Sequence, residues 1–245
     1  MIFHIPHSSI KIPREYRSLF SLSDQELDLE LLLMTDHFTD ELFQSAMGVG
    51  DGLVQFPISR LLVDPERFPD DTQEEMSKVG MGAIYTSTHN GDPLKNGTIQ
   101  RDELLKRYFQ PHHDALTAEV MNALENTGRA LIMDCHSFPK HPLPYELNQE
   151  PNRPQVCIGV DPFHTPETLI SPLVDVFSAN GLTVDINVPF SGAIVPLDFY
   201  ERDHDVLSVM IEIRRDCYMD ESTGFKSDKF TAMQEIISQA ISRLR

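Results

Sequence analysis

The sequence predicts an α/β domain in which a mainly parallel sheet is covered by helices on both faces. Apolar segments of strand length alternate with amphipathic segments of helix length along the chain, and this alternation is typical of parallel sheets. The length of 245 residues, with 40% hydrophobic and 24% charged residues, suits one soluble globular domain. We therefore expect one three-layer domain over residues 1–245.

The strands are predicted from short apolar runs that end in polar residues or turns. One of these runs, Leu131 to Ser137, ends in an acid, a thiol, an imidazole and a hydroxyl. We expect strands at 3–7, 53–56, 61–63, 131–137, 155–160, 182–188 and 206–213.

The helices are predicted from apolar residues at helical spacing. The first is expected at 23–47, because Ser23 and Glu26 form a capping-box pattern before its apolar stripe. The second is expected at 101–125 with a break at Pro111, and its adjacent His112 and His113 should point about 100° apart. Two further helices are expected at 166–180 and 228–245.

The charge of the chain limits its partners. A net charge of −18 disfavours nucleic acids and anionic membranes, which basic patches bind. No apolar run approaches the ~20 residues of a membrane helix, and the first residues, MIFHIPHSS, lack a signal-peptide pattern. The three cysteines form no CxxC pair, so we expect a reducing, cytoplasmic setting.

Polar side chains gather at the ends of the predicted strands. Alternation places Asp134 and His136 on one face of their strand, and His7 and Glu212 stand near the ends of two others. Such strand ends carry the active sites of open α/β sheets. Taken alone, His136 could equally be a histidine satisfied by its neighbouring acid. Cys135 as a nucleophile with His136 as base is disfavoured, because successive strand residues face opposite ways.

Two histidines and one carboxylate are the ligand set of many catalytic zinc sites. The most economical assignment takes His7, Asp36 and His136 as ligands and Glu212 as the general base. Asp134 could orient the imidazole of its neighbour as an outer partner.

Two arginines in an acidic chain need a local explanation. Arg60 and Arg67 flank Asp64 in the segment SRLLVDPERF, and such a pair suits bidentate recognition of a carboxylate. Surface salt bridges to Asp64 and Glu66 are the equally plausible alternative. Two long polar segments, 70–97 and 138–154, could cover a site.

Seven motifs occur in order along the chain: IPHSS, TDHFTDELF, SRLLVDPERF, YFQPHHDAL, DCHSFP, NVPFSGA and IEIRRDCYMD. In this order they resemble the N-formylglutamate amidohydrolase family. The resemblance implies a phosphorylase/hydrolase-like core with a mixed, mainly parallel sheet, similar to that of zinc carboxypeptidases, and one catalytic Zn²⁺.

The resemblance also implies roles for individual residues. It makes His7 and His136 zinc ligands, Asp36 or else His37 the third ligand, and Glu212 the catalytic glutamate. Arg60, Arg67 and Arg214 would face the carboxylates of the substrate.

The expected function is hydrolysis of the amide of an N-formyl, or related N-acyl, acidic amino acid, a small anionic substrate. The alternatives are a zinc peptidase similar to carboxypeptidases or muramoyl amidases, and a non-catalytic binding protein on the same fold. The sequence does not determine the oligomeric state.

Overall fold

A six-stranded, mainly parallel sheet forms the centre of the molecule in a computed structural model that describes residues 1–96 and 100–245. The strand order is β2-β1-β3-β6-β4-β5; only the β4–β6 pairing is antiparallel. The strands are β1 (Ile2–Ile5), β2 (Gly52–Gln55), β3 (Ala130–Phe138), β4 (Val156–Gly159), β5 (Val184–Ile186) and β6 (Val206–Arg214).

Helices lie on both faces of this sheet, as the sequence predicts. The helices are α1 (Asp24–Met34), α2 (Thr39–Gln44), α3 (Arg101–Leu104), α4 (Gln110–Thr127), α5 (Glu167–Ala179) and α6 (Phe230–Ser242). Shorter elements are 3-10 helices at Arg14–Leu19, Glu75–Val79 and Arg215–Cys217, and a ribbon of β7 (Met219–Asp220) and β8 (Phe225–Lys226).

Strand alternation separates the two sides of the core. Phe3, Met133 and Ile211 project toward α2, α5 and α6. On the opposite face, Ile2 and Ile132 pack against α4 with the neighbours Val54, Leu116, Val120, Ala130 and Val206. The mixed three-layer architecture expected from the sequence is therefore present.

The helix expected at 23–47 is wrong as one continuous element. The chain leaves the helix at Thr35, whose backbone is extended, and turns through Phe38 at φ 63° before α2 begins. The break is stabilised by tertiary contacts, because the N–H of Asp36 donates to the carbonyl of His7 at 3.0 Å. Asp36 consequently lies in a loop between two helices.

The strand expected at 61–63 is also absent. The N–H groups of Leu62 and Val63 donate to the carbonyl of Ser59 at 2.9 and 3.4 Å, so this segment is a turn. Its three apolar residues are fully buried. A short apolar run indicates burial without distinguishing a strand from a buried turn.

The helix expected at 101–125 is interrupted just before Pro111. Residues Leu105–Phe109 form a π-helical turn between α3 and α4. Such a turn carries an extra residue, and here it puts both Leu104 and Phe109 on the buried side. His112 follows on the same side and is buried as well.

The long polar segments are packed against the body of the protein. Met81, Ala83 and Tyr85 are completely buried in a third apolar cluster with α1. Gly97, the last residue of the first expected loop, lies outside the described residues. In the second loop, Arg153 pairs with Glu146. Within the described ranges, no helix is long and apolar enough to cross a membrane.

The capping box of α1 gives a first test. Ser23 accepts from the N–H of Glu26 at 3.3 Å, and Glu26 accepts from the N–H of Ser23 at 2.8 Å. We expect Ser23→Ala to lower the free energy of unfolding by about 1 kcal/mol in urea denaturation. Ser178→Ala, at an exposed serine of α5, is the control and should change it little; equal effects would contradict the capping role.

Candidate active site

The centre of the candidate site is a pair of neighbouring residues on β3 and β6. The parallel register of these strands sets His136 directly beside Glu212. Both strands are nine residues long, so the two side chains project from the sheet surface and do not depend on a loop. Both are buried, with exposures of 3% and 7%.

Three predicted ligands meet at this point. Asp36 Oδ2 lies 3.2 Å from His136 Nδ1 and 3.7 Å from His7 Nδ1. Each of the three residues can offer one ligand atom, and these atoms lie within 4.8 Å of one another. His7 follows the end of β1, and Asp36 reaches it from the break between α1 and α2.

The buried carboxylate of Asp64 contacts the ring nitrogen of His7 that does not face Asp36. Asp64 Oδ1 lies 2.8 Å from His7 Nε2, and its other oxygen accepts from Arg60 at 2.9 Å and from the Tyr85 hydroxyl at 2.6 Å. Burial opposes ionisation of Asp64, but the charges of Arg60 and His7 outweigh it and hold its pKa well below the ordinary value. Asp64 therefore serves as the anionic partner of His7.

Asp134 holds His136 in the same way. Its Oδ1 lies 3.0 Å from His136 Nε2, and its Oδ2 accepts from the N–H of Ile194 at 3.1 Å. Burial opposes ionisation of Asp134, but its contacts with His136 and His4 outweigh this effect and lower its pKa. Glu66 Oε2 approaches the same His136 nitrogen at 3.1 Å.

The carboxylate of Glu212 is the least satisfied group in the cluster. Its Oε2 is buried and has no hydrogen-bond partner in the part of the chain that the structure describes. Burial raises its pKa to about 8; His136 opposes this rise, and the nearby carboxylates of Asp36, Glu66 and Asp134 add to it. A cation bound among these groups would lower that pKa, since it favours the charged form.

The three arginines predicted to bind the substrate have different surroundings in the structure. Arg60 is engaged by Asp64, whereas Arg67 lies 3.9 Å from the same carboxylate and has a buried Nε without a hydrogen-bond partner among the described residues. The structure does not bring Arg214 to the cluster: it bonds to Asp216 at 2.7 Å and to the carbonyl of Arg153.

The adjacent Arg215 is the arginine that enters the site. Its guanidinium donates to Asp36 Oδ1 at 3.1 Å and to the carbonyl of Leu33 at 2.6 Å. Arg215 follows β6 in a 3-10 turn, where strand alternation no longer applies. Burial opposes ionisation of Asp36, but hydrogen bonds from His136 and His7 and the charge of Arg215 hold its pKa well below normal.

Two alternatives are separated from the cluster. The imidazole of His37 lies beside the backbone of Leu31 and Leu32, and its own carbonyl accepts from Tyr218 at 2.8 Å. Cys135 is completely buried on the opposite face of β3, where its thiol donates to the carbonyl of Met133 and burial raises its pKa.

Sequence reasoning missed three residues that contact the site: Glu66, Arg215 and His4. His4 lies on β1 opposite Asp134, so strand alternation puts it on the face of Asp134 once the register is known. The sequence indicates Glu66 only as a salt-bridge partner of Arg60 and Arg67. Its approach to His136 depends on the turn at 64–67, which no periodic pattern indicates.

The donor set fits a divalent transition metal such as zinc. His7 Nδ1 is buried and lacks a hydrogen-bond partner among the described residues, and the other ring nitrogen of each histidine is occupied by a carboxylate. Carboxylates commonly bind the outer nitrogen of metal-bound histidines, and they fix the tautomer that leaves the inner nitrogen free.

Comparisons with known proteins show which family the chain belongs to. A family model described as N-formylglutamate amidohydrolase matches residues 1–219. The chain belongs to the N-formylglutamate amidohydrolase family. A curated relative, an N-formylglutamate deformylase of Pseudomonas putida, is 23% identical over 253 residues, covering 100% of this chain and 91% of the relative.

Two solved structures share the fold of this chain. The crystal structure of an N-formylglutamate amidohydrolase from Ralstonia eutropha JMP134 superposes with a TM-score of 0.83 at 24% identity, covering 99% of this chain and 91% of that one. A gene product of Agrobacterium tumefaciens gives a TM-score of 0.68 at 21% identity, with 99% and 90% covered.

The support of His7 can be tested through stability. Asp64→Ala removes the partner of the buried Arg60 and His7, and a buried charge without its partner costs about 3–5 kcal/mol. Urea denaturation should show a loss of that size. Glu75→Ala removes an exposed 3.9 Å pair with Lys78 and should cost under about 1 kcal/mol. Similar losses for the two variants would refute the anchoring role of Asp64.

Proposed function

We propose that this protein is a zinc-dependent amidohydrolase that removes the formyl group of N-formylglutamate, giving formate and glutamate. The observation that carries the proposal is the cluster itself: two histidines and an aspartate with a partnerless buried nitrogen, beside a partnerless buried carboxylate among the described residues. The family and the Pseudomonas putida relative, an N-formylglutamate deformylase, supply the substrate.

The ligand atoms would be His7 Nδ1, an oxygen of Asp36 and His136 Nδ1. Zinc bound there supplies Lewis acidity, which polarises an amide carbonyl and makes water a nucleophile near neutral pH. Asp64 and Asp134 keep the two imidazoles in the required tautomer by accepting from their outer nitrogens. Arg215 holds Asp36 by its other oxygen.

Glu212 is the proton carrier in this proposal. Its unpartnered Oε2 accepts a proton from the attacking water and then delivers that proton to the leaving amine nitrogen. Burial raises the pKa of this group, and a cation at the neighbouring cluster would lower it again, so the group would be a carboxylate able to accept the proton. The parallel pairing of β6 with β3 holds the carboxylate in place beside His136.

Arg67 is the proposed ligand of a substrate carboxylate. Arg60 directs its donors to Asp64 and Tyr85, whereas Arg67 approaches Asp64 only at 3.9 Å. A guanidinium with free donors in a partly buried position suits bidentate binding of a carboxylate. Arg60 then acts by anchoring Asp64 rather than by contacting the substrate.

The other expected functions lead to different results in two measurements. A peptidase similar to carboxypeptidases or muramoyl amidases would bind zinc and release no formate from N-formylglutamate. A binding protein would not turn over the substrate in any metal state. Metal analysis of the purified protein, coupled to an assay of formate release, therefore separates the three. Zinc together with formate release is the expected result.

Glu212→Gln tests the base. The amide cannot take a proton from water, and a general base contributes about 10²–10⁴-fold to rate, so kcat should fall by a factor in that range. Zinc content should stay at the wild-type level. Glu235→Gln, at an exposed glutamate of α6, is the matched control. Full activity of the Glu212 variant would rule out its role as base.

Arg67→Ala tests the carboxylate contact. Hydrogen bonds to charged groups contribute about 1.5–3 kcal/mol, so kcat/KM for N-formylglutamate should fall roughly 10–100-fold, mainly through KM. Arg214→Ala is the control, because the structure turns that arginine toward Asp216, and it should stay within about twofold. A larger effect at Arg214 than at Arg67 would reverse the assignment.

A further inference from the structure

We propose that His4 and His112 are positioning residues that align the metal ligand His136 through Asp134. The proposal rests on the metal site put forward above, and it extends that site to two residues outside the cluster of His7, Asp36 and His136. Both imidazoles are buried: the exposed fraction is 0% for His4 and 5% for His112.

A continuous series of short contacts links the four residues. His112 Nε2 lies 2.8 Å from His4 Nε2. His4 Nδ1 lies 2.8 Å from Asp134 Oδ1, and the same oxygen lies 3.0 Å from His136 Nε2. The series crosses from α4 through β1 to β3, and it ends on the imidazole that faces Asp36.

The chemistry of the donors fixes the direction of every bond in this series. If His136 binds metal through Nδ1, its Nε2 carries hydrogen and donates to Asp134. His4 Nδ1 must then donate to the same carboxylate, which leaves His4 Nε2 as an acceptor. The donor that faces that nitrogen is the Nε2–H of His112. One tautomer of each histidine satisfies every contact in the series.

Regular secondary structure holds the series in place. His4 and Asp134 are register partners in the β1–β3 pairing. His112 is the first buried residue of α4 after the π-helical turn, and the ring of Phe56 packs edge-on against it at 5.0 Å. Burial and the proximity of His4 lower the pKa of His112 to about 2, so it remains a neutral donor. A shift of α4 would be transmitted to His136 through two rigid rings.

The same atoms could instead hold a second cation. His4, Glu66 and Asp134 can each offer a ligand atom, and these atoms lie within 4.8 Å of one another. The 2.8 Å contact between His4 and Asp134 has the length of a hydrogen bond, and the other nitrogen of His4 already faces His112. Glu66 stays 3.7 Å from His4. Both oxygens of Asp134 already have hydrogen-bond donors, Oδ1 in His136 and Oδ2 in the N–H of Ile194, so hydrogen bonding accounts for this group without a cation.

The first experiment observes the tautomers directly in the wild-type protein. Long-range ¹H–¹⁵N correlation spectra of the zinc-loaded chain should show His4 protonated at Nδ1 and His112 at Nε2. Both protons should exchange slowly, since the groups are buried. His4 protonated at Nε2, or two zinc ions bound per chain with His4 Nδ1 as a ligand, would overturn the proposal.

The second experiment measures zinc affinity in paired variants by competition with a chelator. His4→Asn places an amide N–H close to the position of Nδ1 and should stay within about threefold of wild type, whereas His4→Leu removes the donor and should weaken binding roughly 10–100-fold. His112→Gln, which retains a donor near Nε2, should likewise bind better than His112→Leu. His141→Leu, at an exposed histidine, is the control.

The outcomes separate this proposal from the function on which it rests. If the wild type binds zinc and the leucine variants bind it equally tightly, His4 and His112 only fill space and the positioning role is wrong. The positioning role is also wrong if, in the absence of zinc, the leucine variants unfold at a lower temperature than the wild type while their affinity for zinc is unchanged. If the wild type binds no zinc, the proposed metal site fails, and the positioning role fails with it.

Discussion

Four buried carboxylates, those of Asp36, Asp64, Asp134 and Glu212, lie in one cluster at the surface of the central sheet. Burying such charge in a protein of net charge −18 is unfavourable unless each group has partners. Asp36 is held by Arg215 and Asp64 by Arg60, and Asp134 lies between His136 and His4. Of these four groups, Glu212 alone keeps an oxygen without a partner in the described chain. The function proposed above gives the proton transfer to this unsatisfied carboxylate.

This arrangement accounts for the arginines of the acidic chain. Arg60 and Arg215 neutralise buried carboxylates that orient histidines or would bind metal, and neither is free to move toward a ligand. Among the described residues, Arg67 has only a long contact to Asp64. In the proposed function, substrate recognition and maintenance of the site therefore fall to different arginines, although all of them lie within a few residues of a predicted strand or turn.

The sheet and its helices could be predicted from the sequence because hydrophobic burial repeats with the period of each element. β3 and β6 are long apolar runs, and their expected positions agree with the structure to within one residue at each end. The predictions of secondary structure fail where a tertiary contact replaces a local backbone hydrogen bond. The loop that carries Asp36 interrupts an apolar helical pattern, since the N–H of Asp36 bonds to the carbonyl of His7. The turn at 61–63 contains only buried apolar residues and has no period of its own.

The residues of the candidate site likewise divide into those that the sequence indicates and those that only the tertiary structure brings together. His7, His136, Glu212 and Asp134 can be named from the sequence because they stand near strand ends, and Asp36 because its carboxylate is expected on the helix that follows the first strand. Which partner each of them meets was decided by the tertiary structure. The β3–β6 register sets His136 beside Glu212, a 3-10 turn brings Arg215 to Asp36, and the packing of α4 brings His112 to His4. Each of these three contacts joins residues that lie far apart in the chain. The spacing of residues along the chain therefore cannot predict them.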